Sequence, residues 1–236
     1  MIPPGDNPMP LPARHRGVWC RVGILILALG IGLAPAAAFD FDRLLARFRQ
    51  LGGISENFQD WRRLIDDAHN IATAKGKLRR VNEFFNRRIQ FADDREIWGQ
   101  SDYWATPMET LAKGKGDCED FTIAKYFTLL AAGIPDRQLR LVYVKATIGG
   151  PESTLSQAHM VLAYYPAPDA EPLVLDNLIT EIRPASRRPD LSPVFSFNDQ
   201  GIWQGAGGGS AKSPGGIGRL SRWQDLLRRA RLEGFD

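Results

Sequence analysis

Apolar residues recur every three or four positions through the first part of the chain. Phe41, Leu44, Leu45 and Phe48 form one short stripe closed by Gly52-Gly53; Phe58, Trp61, Leu64, Ile65 and Ala68 form a second; Leu78, Val81, Phe84, Phe85 and Ile89 form a third. This spacing predicts amphipathic helices, with Arg and Asp on their solvated faces. The pattern then changes. A Gly-rich turn, KGKGD, leads into Cys118, and Phe121, Ile123, Ala124, Phe127, Leu130 and Ala131 surround much of the following segment. That predicts a buried helix beginning at Cys118 and stopping at Gly133, with Pro135 just beyond. After Pro135 the period falls to two. Residues 139–148, 158–165 and 173–178 read as three strands of an antiparallel sheet packed on the Cys118 helix. The expected class is therefore α+β, an N-terminal helical layer packed with an antiparallel β-sheet. Residues 201–218 read as a Gly-rich loop with an exposed Trp203. Ser221 and Gln224 then offer a capping box for a last helix bearing Trp223, Leu226, Leu227 and Leu232.

The segment Trp98–Glu109, WGQSDYWATPME, has no clean period and holds three large aromatics. It reads either as a cleft wall or as core packing. Gln100 and Trp104 are its candidates for a side-chain donor to an oxyanion.

The 236 residues suffice for one sizeable core, and 24 % charged residues argue against wholesale disorder. Residues 1–38 have the form of a leader: Arg14, His15, Arg16 and Arg21, then the apolar run Val22–Leu33, then Ala36-Ala37-Ala38 at a small-x-small cleavage pattern. A secretory signal cut after Ala38 is the expectation, with an uncleaved membrane anchor as the alternative. Residues 39–236 then form a single domain. Removing three arginines and Asp6 with the leader takes the formal charge from +3 to +1, a balance that does not suggest a nucleic-acid binder. Cleavage also removes Cys20 and leaves Cys118 as the only cysteine. An exported protein with one thiol cannot close an internal disulfide, so that thiol is either buried for structure or used.

A cysteine nucleophile at a helix N-terminus needs a base, and the base needs an orienting partner. The chain has three histidines. His15 is lost with the leader and His69 lies on the polar side of its helix, which leaves His159, at the start of a strand after a loop. Asp176, in the otherwise apolar LVLDNL, is the candidate orienter; a carboxylate there needs a partner to offset its desolvation. The alternative is an edge-strand residue facing water. Asp117, Glu119 and Asp120 bracket the thiol and disfavour its ionisation. They either complement the helix dipole or bind a hard cation, for which calcium suits an irregular loop in an extracytoplasmic compartment.

The strings GDCEDFTIAKYFTLLAAGIP, LRLVYVKAT, QAHMVLAYYP and LVLDNL resemble the bacterial transglutaminase-like cysteine proteinases, and within them the LapG-type periplasmic proteases. The likeness runs from about Val81 through RPASRRPDLSPVFSFN to the terminal LSRWQDLL. It implies a papain-like fold with Cys118, His159 and Asp176 as the triad, and Ca2+ held by Asp117 and Glu119, with Asp120 a further candidate. It also implies periplasmic cleavage of a large surface adhesin near its N-terminus at a paired-alanine site, releasing the cell from a biofilm. An inner-membrane receptor for cyclic di-GMP would sequester the protease. A transglutaminase-like acyltransferase uses the same triad and differs only in what resolves the acyl-enzyme. A binding module without catalysis is the third possibility.

Overall fold

A helix that is apolar on nearly every side can be accommodated only between layers, and the Cys118 helix occupies that position. The computed structural model describes residues 39–150, 152–207, 213–214 and 220–235, together with Met1; the remainder of the expected leader lies outside the described residues. The elements run α1 (Phe41–Gln50), α2 (Ser55–Asn70), α3 (Ala74–Arg88), β1 (Gln90–Phe91), α4 (Asp94–Trp98), α5 (Pro107–Lys113), β2 (Lys115–Gly116) and α6 (Cys118–Ala131). They continue as β3 (Leu139–Thr147), β4 (Ser156–Tyr164), β5 (Leu173–Leu175), β6 (Arg183–Pro184), β7 (Leu191–Asn198), β8 (Gly201–Gln204), β9 (Ser213–Pro214) and α7 (Ser221–Glu233). The three expected N-terminal helices are present. Within the aperiodic stretch, Thr106 and Glu109 form a reciprocal capping box that starts α5 with Pro107 in its first turn.

The α6 helix begins and ends where the sequence predicts. Asp117 caps it, and Gly133 at φ +85° provides the left-handed residue beyond its end. Phe121, Ile123, Ala124, Tyr126, Phe127 and Leu129 are all buried. On one side α6 meets α2, α3 and α5, where Trp61 Nε1 donates to Thr128 Oγ1 at 2.8 Å. On the other it lies on the sheet, where Thr122 Oγ1 donates to the Met160 carbonyl at 3.1 Å.

The sheet has the order β6-β5-β4-β3-β7-β8-β9, and its central pairs are antiparallel. Alternation along β3 and β4 divides two apolar layers. Leu139, Leu141, Met160, Leu162 and Tyr164 join the core with α6, while Val142, Val144, Val161, Ala163 and Tyr165 form a smaller cluster on the opposite face. Both faces are thus covered, so an apolar/polar alternation holds only toward the end of β3, at Lys145 and Thr147.

Four expectations are corrected. The third strand ends at Leu175, because Asp176 turns out of the ladder to bond side chains and the Leu178 N–H. Gly201–Gln204 is a strand paired with β7, its two large apolar residues stabilising what the glycines disguise. Trp203 is buried with the Arg140 guanidinium 3.9 Å over its ring. Finally, α7 has no side-chain cap: Leu220 occupies the cap position and Ser221 is already helical, one residue too late.

Trp223 attaches α7 to this core. It is fully buried and its ring contacts those of Tyr126, Phe127 and Phe197. Trp223→Ala should cost about 3–5 kcal/mol, read as a lowered midpoint in urea denaturation. A loss below about 1 kcal/mol would contradict this packing.

Candidate active site

Cys118 opens α6 directly after β2. Its cap, Asp117, accepts from the backbone N–H groups of Glu119 (3.2 Å) and Asp120 (3.4 Å). The thiol donates to Glu119 Oε2 at 2.7 Å. Burial pushes the thiol's pKa up, the Glu119 carboxylate pushes it further, and the Met160 backbone N–H pulls the other way. Met160 therefore lies at the sulfur, and its neighbour on β4 is His159. The Thr122–Met160 bond, one turn into α6, fixes this approach of strand to helix.

His159 is buried, and its Nε2 lies 2.8 Å from Asp176 Oδ1. Nδ1 is left as the nitrogen available to a thiol proton. Asp176 stands one residue past β5. Its Oδ1 also accepts from the Leu178 N–H at 3.0 Å, and its Oδ2 from Arg188 Nη2 at 2.7 Å. Asn86 of α3 donates to its carbonyl at 2.7 Å. Burial alone would raise this carboxyl; the bonds from His159, Leu178 and Arg188 reverse that and hold it at about 2. The alternative of a solvent-facing Asp176 is excluded, since it is 1 % exposed.

A second cluster abuts the thiol on the other side. Asp94, Asp117 and Asp120 each offer a carboxylate oxygen, all within 4.8 Å of one another. Asp94 comes from the first turn of α4. The aromatic segment wraps this cluster: the Tyr103 N–H donates to Asp94 Oδ2 at 2.5 Å and the Ala105 N–H to Asp120 Oδ1 at 2.8 Å. The approach of β2 is equally close, because a Cβ on Gly116 would lie 2.7 Å from the Asp120 Cβ. Burial, then repulsion from Glu119 and after it from Asp120 and Asp94, pushes Asp117 up to about 9; burial likewise raises Asp120 and Asp94. Asp94 Oδ1 and Asp120 Oδ2 are buried without a hydrogen-bond partner. An all-oxygen donor set with two orphaned carboxylate oxygens fits a hard divalent cation. Glu119, the other acid beside Cys118, is turned to the thiol instead.

Tyr103 and Trp104 line a cavity of about 260 Å³ with Ser221, Arg222, Asp225 and Arg229 of α7, so part of the aromatic segment does wall a cleft. Trp104 stacks on Phe197 and is half-buried, whereas Gln100 is exposed. His69 is exposed, as expected. Two residues of the site escaped the sequence reading. Asp94 lies 23 positions before Asp117 in an ordinary Asp-Asp pair. Arg188 sits in an Arg-rich run that resembles a solvated loop. The one signal for it was that a buried Asp176 needs a cation as well as an imidazole.

Replacing Asp176 should disturb both of its partners. Asp176→Ala leaves the Arg188 guanidinium buried against a lost counter-charge and should cost about 3–5 kcal/mol, against a smaller loss for Asp176→Asn. The depressed carboxyl contributes stability above its unfolded pKa of about 3.9 and loses it as pH falls toward about 2. The gap between wild type and Asp176→Asn in urea should therefore narrow below pH 4. An unchanged gap at pH 3 would contradict the assigned pairing.

Comparison with known proteins gives the context for this geometry. The family model for bacterial transglutaminase-like cysteine proteinases matches residues 62–191. Among solved structures, Legionella pneumophila LapG is similar at 39% identity and a TM-score of 0.68, covering 83% of this chain and 99% of that one. Its calcium-bound form is similar at 41% identity and a TM-score of 0.67, covering 80% and 98%. Its EGTA-treated form is similar at 40% identity and a TM-score of 0.68, covering 83% and 100%. No curated protein matches the chain. With helices and antiparallel sheet setting a cysteine at the first position of a buried helix and a buried His–Asp pair on the strand packed against it, the chain is a cysteine peptidase and belongs to the bacterial transglutaminase-like cysteine proteinase family.

Proposed function

We propose that the chain is a calcium-dependent periplasmic cysteine endopeptidase. It cuts the N-terminal region of a large cell-surface adhesin at a paired-alanine site, releases it, and so promotes biofilm dispersal. A cyclic-di-GMP receptor in the inner membrane is the proposed regulator. The observation behind the catalytic part is the buried His159–Asp176 pair, set on the strand whose next residue lies against the Cys118 sulfur. Substrate, receptor and compartment rest on similarity to LapG and on the leader-like sequence of residues 1–38. Among the described residues, no helix is long and apolar enough to cross a membrane.

In the proposed mechanism Asp176 holds His159 through Nε2, and Nδ1 takes the proton of Cys118. A carboxylate held at about 2 stays ionised, so it stabilises the imidazolium without taking its proton. The sulfur attacks the peptide carbonyl. The Cys118 backbone N–H, free at the start of α6, meets the oxyanion. His159 then returns its proton to the leaving amine, and water hydrolyses the thioester.

Asp117 and Asp120, together with Asp94 rather than Glu119, are the proposed calcium ligands. The ion would neutralise Asp117, whose charge adds to that of Glu119 in disfavouring thiolate. It would also tie α4 and the aromatic segment to the start of α6.

Two outcomes follow. Cleavage of an adhesin N-terminal fragment should require calcium, fail in chelator, and disappear in Cys118→Ala while the fold is retained. Cleavage that survives Cys118→Ala would overturn the assignment, and incorporation of an amine in place of hydrolysis would transfer it to acyltransfer. The second outcome concerns pH. The raised carboxyls contribute stability below about pH 4, and it is lost as pH rises toward about 9. Calcium replaces those protons, so its increment to Tm should grow between pH 5 and pH 8. An increment that is absent, or larger at pH 5, would remove calcium from this cluster.

A further inference from the structure

We propose that Arg188 is a positioning residue for the reaction, acting through Asp176 on His159; this rests on the assignment of Cys118 as nucleophile. The geometry is specific. Asp176 Oδ1 is shared by His159 and the Leu178 N–H, whereas Oδ2 has one hydrogen-bond partner among the described residues, Arg188 Nη2 at 2.7 Å. Without that bond the carboxylate can rotate about its Cβ–Cγ bond, and the imidazole loses its fixed acceptor.

Arg188 is held in turn. Its Nε lies 2.9 Å from Asp190 Oδ1 and its Nη2 lies 2.7 Å from Asp190 Oδ2, a side-on fork that sets the guanidinium plane. Asp190 is fastened to the sheet by the Thr147 N–H, which donates to its carbonyl at 2.8 Å. The order Asp190, Arg188, Asp176, His159 alternates in sign and ends beside the thiol.

The alternation also fixes the formal charge of this chain of groups. Arg188 alone would cancel Asp176. With Asp190 included the three groups sum to −1, which an imidazolium neutralises. The other cation acting on Asp176 is Lys125 of α6. Its ammonium is buried over the Phe121 ring, and burial pushes it down to about 7 against the pull of Asp176. Lys125 makes no hydrogen bond to the carboxylate, so orientation falls to Arg188. A lysine at 188 would keep the charge but lack the planar fork that reaches both acids at once.

The test uses the full-length chain with calcium bound. Iodoacetamide alkylation is followed by peptide mass mapping, so that Cys20 and Cys118 are counted separately. A wild-type Cys118 no more reactive than an ordinary thiol overturns the nucleophile reading itself. With a reactive wild type, Arg188→Met should slow Cys118 alkylation roughly 10- to 100-fold. In an Asp176→Asn background the same substitution should change the rate by less than about twofold, because its route is already cut. Independent, multiplying effects would reduce Arg188 to a structural ion pair.

Arg188→Lys keeps the charge if Arg188→Met does not fold, and it should be slowed several-fold. Its downfield His159 Nε2–H resonance should also broaden relative to wild type. Arg188→Lys with wild-type reactivity and an unaltered resonance overturns the proposal.

Discussion

The burial of α6 governs the rest of the molecule. Its apolar surface has to be covered on all sides, so the helical layer and the seven-stranded sheet close over it and leave its N-terminus as the end that meets polar groups. The first helical turn has free N–H groups and a partial positive charge. The sequence answers this with Asp117, Glu119 and Asp120, which are more carboxylates than a helix end alone requires. Placing them beside a thiol creates an electrostatic problem, and the surrounding residues follow from how it is met.

On one side the answer is to collect charge. Asp94 joins Asp117 and Asp120, and backbone donors from Tyr103 and Ala105 satisfy some of the carboxylate oxygens while two remain orphaned. The aperiodic aromatic segment thus takes its course from the acids it wraps. On the other side the answer is to alternate charge. Buried His159, Asp176 and Arg188, closed by the partly exposed Asp190, form a chain in which each group compensates the next. Separately the three buried groups would each be costly to desolvate; together they fix one imidazole against one strand.

Much of this was legible in the chain. The helix from Cys118 to Gly133 followed from its apolar faces and its glycine stop, and the bringing together of His159 and Asp176 followed from scarcity. One histidine away from the solvated helix faces and one carboxylate in an apolar run have few other uses. What escaped notice depended on tertiary contact. Asp94 and Arg188 lie in short charged runs whose composition is that of a solvated loop, and only folding buries them. The β8 strand was hidden because Gly201 and Gly205 bracket just two apolar residues, and its stability comes from Trp203 packing against Arg140. Glu119, a calcium ligand by resemblance, lies close enough to the other acids to repel Asp117, yet its carboxylate accepts the thiol's hydrogen bond. On a helix, successive side chains diverge by about 100°, and this one meets the sulfur.

The central claim is that Cys118 carries the acyl group and water removes it. Rapid-quench mass spectrometry of the calcium-loaded protein, mixed with a peptide ester drawn from the adhesin cleavage region, tests it directly. A transient acyl adduct should map to Cys118 and decay to free acid at the rate of turnover. An adduct on another residue, or free acid formed with no adduct on Cys118 at any time point, would contradict it.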